Sequence, residues 1–304
     1  MAGGIDVSAG DQTYDRMEMI KAFDQTETSV KGLIDSGLTK IPKIFIVEQV
    51  RLASETWGFF QVVNHGISPT VLDGMIDGIR KFNEMDVKEK RRYYSRDYTR
   101  RVRYSSNFDL FASKTANWRD TLSISCSDLI DSEELPASCR DNTVEFSDHV
   151  KILGKTLFEL LSEALGLSPD HLNNMECSKR QRFSCHYYPA CPEPQLTLGI
   201  TKHSDPGFLT VLLQSQISGL QLVSNGRFIS SKHRVTVNSI GPRISVGCFF
   251  SGPVGEVNTY GPIKELISEE NPAKYRDLLL TEYLGKFVKT GLDDENWGID
   301  YYKL

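Results

Sequence analysis

Apolar residues recur at helical spacing through the first half of the chain and gather into short runs through the second. Leu72, Met75, Ile76, Ile79 and Phe82 share one stripe of a 3.6-residue repeat, and Ser68-Pro69 ahead of them offers an N-cap and a proline at the first helical position. Phe146, Val150, Leu153, Leu157, Leu160, Leu161 and Ala164 repeat the pattern and predict a helix over 141–165, with Gly166 placed to stop it. Further helices are predicted over 15–34, over 47–56 with Val47, Val50 and Leu52 apolar, after Ser168-Pro169, and from about Pro272 through Tyr275, Leu278, Leu279 and Leu280. IPKIFI (41–46) reads as extended, and GFFQVVNHG (58–66) as a strand bounded by glycines. From Phe183 the texture changes: FSCHYY, FLTVLLQ, GLQLV, FISSKHRVTV and RISVGCFF read as strands separated by turn signals.

The plan is therefore α+β, a helical first half leading into an antiparallel β half, with no internal repeat. Residues 1–14, small and polar, are expected to be disordered; 15–170 form a mostly helical region, 180–290 a β domain, and 291–304 a tail. The 304 residues suffice for a large core, and 39% hydrophobic with 25% charged residues is ordinary for a globular protein. A net charge of -5 gives no reason to expect nucleic acid or an anionic membrane as partner. Lys88–Arg92 and Arg100–Arg103 are short basic clusters of the kind that solvated helices and loops carry. The first residues contain neither a basic nor an apolar signal region, and no apolar run approaches the roughly 20 residues of a membrane span. Six cysteines without a CxxC pair fit reduced thiols in a cytoplasmic protein, and a monomer is expected.

The chemistry concentrates in TKHSDPGFLTVLLQ (201–214). His203 and Asp205, two apart, lie on one side of an extended chain just ahead of an apolar strand, and His233 follows in SSKHRV. Two imidazoles and one carboxylate compose the facial triad of non-haem Fe(II) oxygenases, which leaves three metal positions open. Alone, an HxD pair with a later histidine is more often a strand end and a core residue. Two neighbours shift that balance. Arg243 and Ser245 share a strand face ten and twelve residues after His233, a guanidinium fork and a hydroxyl suited to a carboxylate. Tyr187 and Tyr188 precede the proline-rich turn PACPEP. A Zn or Mn hydrolase on a similar β scaffold is the competing metal reading, but it has no use for such a carboxylate receptor.

In LASETWGFFQVVNHGI, YYPACPEPQLTLG, HSD, HRV and GPRISV, taken in order, the chain resembles the plant 2-oxoglutarate- and Fe(II)-dependent dioxygenases over nearly its whole length. KAFDQTETSVKGLIDSGLTKIP, NFDLFASKTANWRDTL and YGPIKELISEENPAKYRD resemble in particular the 1-aminocyclopropane-1-carboxylate oxidase homologues and the alkaloid hydroxylases related to deacetoxyvindoline 4-hydroxylase. The resemblance implies a double-stranded β-helix, or jelly roll, with helices packed outside. It implies that His203, Asp205 and His233 hold Fe(II), and that Arg243 and Ser245 bind the distal carboxylate of 2-oxoglutarate with Tyr188 adding a hydrogen bond. It further implies O2 as co-reactant, ascorbate as a supporting reductant, and a small-molecule substrate that is hydroxylated while succinate and CO2 leave. His186, where many relatives carry asparagine, and Phe249, on the face of Arg243 and Ser245, are the expected pocket residues.

The chain departs from that pattern in two places. Only 27 residues separate Asp205 from His233. The resemblance implies about two dozen more, two or three strands of typical length, lost within GLQLVSNGRF. A second junction lies at Ile46-Val47. The jelly roll is thus expected to be incomplete, with His233 displaced unless GLQLV and FISSKHRV pair directly, and an inactive relative retaining only the scaffold is the alternative function.

Overall fold

The computed structural model describes residues 16–39, 41–126, 132–222, 231–253, 259–292 and 298–304. Its helices are α1 Arg16–Gln25, α2 Val30–Asp35, α3 Val47–Thr56, α4 Pro69–Glu84, α5 Val87–Arg91, α6 Arg140–Ala164, α7 His171–Asn174 and α8 Leu280–Thr290. Its strands are β1 Val102–Ser106, β2 Asp120–Cys126, β3 Arg180–Tyr188, β4 Leu198–His203, β5 Leu209–Gln214, β6 Leu220–Leu222, β7 His233–Thr236, β8 Arg243–Ser251, β9 Thr259–Tyr260 and β10 Leu278–Leu279. They form a five-stranded sheet in the order β1-β2-β3-β8-β5 and a three-stranded sheet in the order β4-β7-β6, antiparallel throughout, with a small β9–β10 pair.

The period of two along these strands separates two chemistries. One face of the five-stranded sheet carries Leu122, Ile124, Phe183, Cys185, Ile244, Val246, Cys248 and Phe250, all buried in the main core. Helices α4 and α6 cover it. Met75, Ile79 and Phe82 of α4 are fully buried, while Phe146 and Phe158 of α6 meet Phe183 and Phe250 at ring-centroid distances of 5.7 and 5.8 Å. The opposite face pairs Arg182 with Phe249, His186 with Ser245 and Tyr188 with Arg243 across β3 and β8. Burying that many polar groups on one face is costly unless they have partners or a ligand.

The strongly patterned elements form where expected. Ser68 Oγ accepts from Val71 N–H to cap α4, and α6 ends at Ala164 with Gly166 in the left-handed region at φ 78°. Elsewhere tertiary structure overrides pattern. The predicted 15–34 helix is two helices: Glu27 takes φ 52°, and Ser29 Oγ starts α2 by accepting from Gly32 N–H. IPKIFI is not extended. Lys43–Phe45 make a 3-10 turn that sets Phe45 against Phe23 and Lys43 against the buried carboxylate of Glu163. GFFQVVNHG forms no strand; no neighbouring ladder takes up its backbone, and Val63 is 76% exposed. The helix expected from Pro272 begins only at Leu280, because Leu278 and Leu279 pair with Tyr260 and Thr259 instead. The helix after Ser168-Pro169 is a single turn starting at His171. Strands β1, β2 and β4 were not foreseen, and β1–β2 supply one edge of the large sheet.

The residues expected to be disordered at 1–14 lie outside the described residues, as does most of the GLQLVSNGRF junction. On either side of that junction the structure is informative. β6 pairs directly with β7, Leu220 with Val235 and Leu222 with His233. β5 and β6 each form one outer edge of their sheets, opposite β1 and β4, with Leu212 of β5 38% exposed. Among the described residues no helix is long and apolar enough to cross a membrane.

Candidate metal centre

His203 ends β4 and His233 begins β7, and the two are paired across the strands after two register shifts between Leu198 and His203. Such irregularities re-aim side chains, and here both rings turn to one point, with centroids 4.3 Å apart. Asp205 is not on the strand face that its spacing suggests; it lies in the loop ahead of β5. From there its Oδ1 reaches to 3.5 Å of His203 Nε2 and 3.6 Å of His233 Nε2. Among the described residues these three form the one group whose ligand atoms all converge within 4.8 Å.

Their protonation suits a metal. His203 Nδ1 lies 2.8 Å from Thr201 O, and His233 Nδ1 lies 3.0 Å from Ser231 O. A carbonyl only accepts, so each Nδ1 carries the proton and each Nε2 turns a free lone pair toward Asp205. Burial, reinforced by the repulsion that a protonated His203 would exert, lowers the pKa of His233. Burial would raise the pKa of Asp205, but its side-chain contact with His203 and the attraction that a proton on His233 or His203 would exert outweigh this and hold it below the usual carboxylate range. Two neutral imidazoles and a carboxylate with an open side fit a divalent first-row ion, Fe(II) included. Phe59 meets the His233 ring edge-on at 5.3 Å, and Ser231 Oγ donates to Trp57 O at 2.6 Å, so the 57–66 segment backs the site.

Arg243 and Ser245 lie on one face of β8, buried at 1% and 2% exposure. Arg243 Nη1 donates to Ser245 Oγ at 3.1 Å and Nη2 to Gln214 Oε1 at 2.9 Å. Gly219 allows the close fit: a Cβ there would stand 3.0 Å from Arg243 Cδ. Arg243 Nε and Tyr188 Oη are buried with no hydrogen-bond partner. Two orphaned donors side by side fit an acceptor such as a carboxylate.

A cavity of about 50 Å³ adjoins the metal site, lined by His203, Asp205, His186 and Phe249 among others. Arg243, Ser245 and Tyr188 do not line it. His186 Nδ1 lies 3.0 Å from Thr121 Oγ1, and burial, then the Arg119 charge, depresses its pKa well below the ordinary imidazole value. Sequence reasoning missed Gln214, Arg103, Arg119 and Arg182. Gln214 and Arg182 were legible by even spacing from Leu212 and His186; Arg103 and Arg119 belong to elements read as helical or left unassigned.

Residues 35–143 match the family described as non-haem dioxygenase in morphine synthesis N-terminal, and residues 179–223 match the 2OG-Fe(II) oxygenase superfamily. The chain is 45% identical to 1-aminocyclopropane-1-carboxylate oxidase homolog 1 of Arabidopsis thaliana, with 95% of this chain and 97% of that protein covered. It is 41% identical to deacetoxyvindoline 4-hydroxylase of Catharanthus roseus, with 91% and 87% covered. A crystal structure of JOX2 in complex with 2OG, Fe and JA superposes with a TM-score of 0.78 at 26% identity, covering 88% of this chain and 87% of that one. The match to the Arabidopsis protein runs over 355 positions, more than the 304 residues here, so that relative carries segments with no counterpart in this chain. The second family match stops at residue 223, beside the junction inferred from the sequence.

Proposed function

Because the chain belongs to the plant family of 2-oxoglutarate- and Fe(II)-dependent dioxygenases, we propose that it hydroxylates a small specialised metabolite, releasing succinate and CO2 from the cosubstrate. The observation that carries this reading is the convergence of His203, Asp205 and His233 with both Nε2 lone pairs free. In this reading Arg243 receives the distal carboxylate of 2-oxoglutarate, Ser245 holds the guanidinium in plane, and Tyr188 donates from the other side. Iron, when bound, supplies the activation of O2 needed to oxidise an unactivated C–H bond. The protein's own part is to hold the imidazoles by their Nδ1–H groups, keep His233 neutral, and exclude water with Phe59 and Phe249. His186 and Phe249 face the substrate, and ascorbate supports turnover by keeping the metal ferrous. The protein acts as a monomer with a small molecule as its partner.

One observation favours a second reading, a scaffold with impaired catalysis. The cavity of about 50 Å³ is far below the roughly 300–1,000 Å³ of ligand pockets. Anaerobic titration with Fe(II) and then 2-oxoglutarate, followed by an assay of succinate in air, separates the two. Binding with succinate formation supports the oxygenase; binding without any succinate supports the impaired scaffold.

A further inference from the structure

We propose that Arg103, Arg119 and Arg182 form a receptor for an anionic group of the substrate, so that the substrate class is a carboxylic acid. This rests on the oxygenase reading of the adjoining metal site. All three arginines line the same small cavity as His203 and Asp205, and Asp205 is the only carboxylate in that lining. Asp205 already faces the two histidines while also attracting Arg182, and Asp97, outside that lining, attracts Arg103, but none of the three guanidinium groups is in an ion pair among the described residues.

Their partners are insufficient for buried cations. Arg119 is 5% exposed, and its Nε and Nη2 have no hydrogen-bond partner. It lies over the Phe108 ring at 5.7 Å. Arg103 is 8% exposed; it donates to Tyr98 O at 3.3 Å and stacks on the Tyr98 ring at 4.3 Å. The Arg182 side chain contacts the Phe249 ring at 5.5 Å and makes no hydrogen bond or ion pair among the described residues. Burial first, then the neighbouring Arg103 and Arg180 charges, bring the pKa of Arg182 down to about 10. Burial likewise lowers Arg103. Clustered cations with aromatic support and unused donors call for an anion.

That anion is not the distal carboxylate of 2-oxoglutarate. Tyr188 pairs with Arg243 at one end of β3, and Arg182 lies six residues away, about 20 Å along the strand. Arg103, on β1, is level with Ser184 through Ser123, toward the Arg182 end, whereas Arg119 precedes Asp120, the partner of Tyr187, and reaches the cavity from the Tyr188 end. Arg103 and Arg182 thus lie away from the Tyr188–Arg243 pair, in a cavity that runs along this face and opens on His203 and Asp205. A cavity of about 50 Å³ accepts a carboxylate head and leaves the carbon skeleton to extend past the metal.

The test uses the full chain loaded with Mn(II) and N-oxalylglycine, a redox-silent metal and an unreactive cosubstrate mimic. Phenylacetate, 3-phenylpropanoate and octanoate are each titrated against their methyl esters by ligand-observed NMR. The acids are expected to bind at least tenfold more tightly than the esters. That ratio should fall toward one in Arg182→Gln and in Arg103→Gln and be partly kept in Arg182→Lys. Because the ratio is taken within each variant, a general loss of folding weakens acid and ester together and does not imitate the result. Equal binding of acids and esters, a ratio unchanged in both glutamine variants, or no binding of any acid overturns the proposal. Repeating the comparison without metal reports on the arginines alone. Failure to load Mn(II) and N-oxalylglycine counts instead against the oxygenase reading.

Discussion

Arg243 and Tyr188 face each other across β3 and β8, the guanidinium carbon 5.0 Å from the ring centroid, and each keeps a buried donor unused. Arg243→Leu should therefore weaken 2-oxoglutarate binding by about 2–5 kcal/mol, the cost of losing a buried charge-assisted contact. Tyr188→Phe removes one neutral donor and should cost about 1 kcal/mol. Anaerobic titration of 2-oxoglutarate into the Fe(II)-loaded variants checks the order. Unchanged affinity in Arg243→Leu would refute its role.

His233→Ala should lower metal affinity by more than the roughly 10–100-fold that loss of an outer-shell partner costs. The test is competition for Fe(II) or Mn(II) against a chelator of known affinity. Wild-type affinity in the variant would show that His233, although paired with His203, does not hold the metal.

Gly154 of α6 packs so closely on β8 that a Cβ there would collide with the Phe250 ring. Gly154→Ala should destabilise the chain by about 1–3 kcal/mol through overpacking. Phe250→Leu in the same chain should recover part of that loss, read as a coupling energy in urea unfolding. Strictly additive effects would mean that the contact is not made.

All six cysteines are free and buried. Burial pushes the thiols of Cys126 and Cys177 up to about 12 and that of Cys139 up to about 11. Thiolate is the reactive form, so a disulfide-exchange reagent should label none of them in the native protein near neutral pH and all six in denaturant. Rapid labelling of even one native thiol contradicts the packing of the core.

Restoring the segments that the longer relatives possess should raise both melting temperature and turnover. β5 and β6 are now outer strands, and open edges invite aggregation. Succinate formation and thermal melts of the two chains provide the comparison. Equal turnover and equal melting temperature would show that the absent segments are dispensable. The direct β6–β7 pairing keeps His233 level with Leu222 and opposite His203, so metal affinity should differ less between the chains than turnover does.

The parts legible in the sequence are those whose signals are local and redundant. α4 combines a stripe, a serine cap and a proline, and α6 combines seven periodic apolar positions with a terminal glycine. The order HxD, HRV, GPRIS placed the triad and Arg243 because His203, His233 and Arg243 each stand at the end of a strand with its own pattern and Asp205 follows His203 by two residues. Residues 58–66 misled because a strand needs a partner, and the described structure offers none. Leu278 and Leu279 have helical spacing but take the backbone pairing offered by Tyr260. The arginine cluster was invisible because Arg103, Arg119 and Arg182 come from separate stretches that only the five-stranded sheet brings to one cavity.

The most direct test of the account is the visible charge-transfer band formed when 2-oxoglutarate chelates Fe(II) in the absence of O2. The geometry of His203, Asp205 and His233 predicts that the band appears on adding both to this chain, is absent in His233→Ala, and requires more 2-oxoglutarate in Arg243→Leu. No band at saturating Fe(II) and 2-oxoglutarate, in a chain whose melt shows that it is folded, would contradict the claim that this triad is a working metal centre.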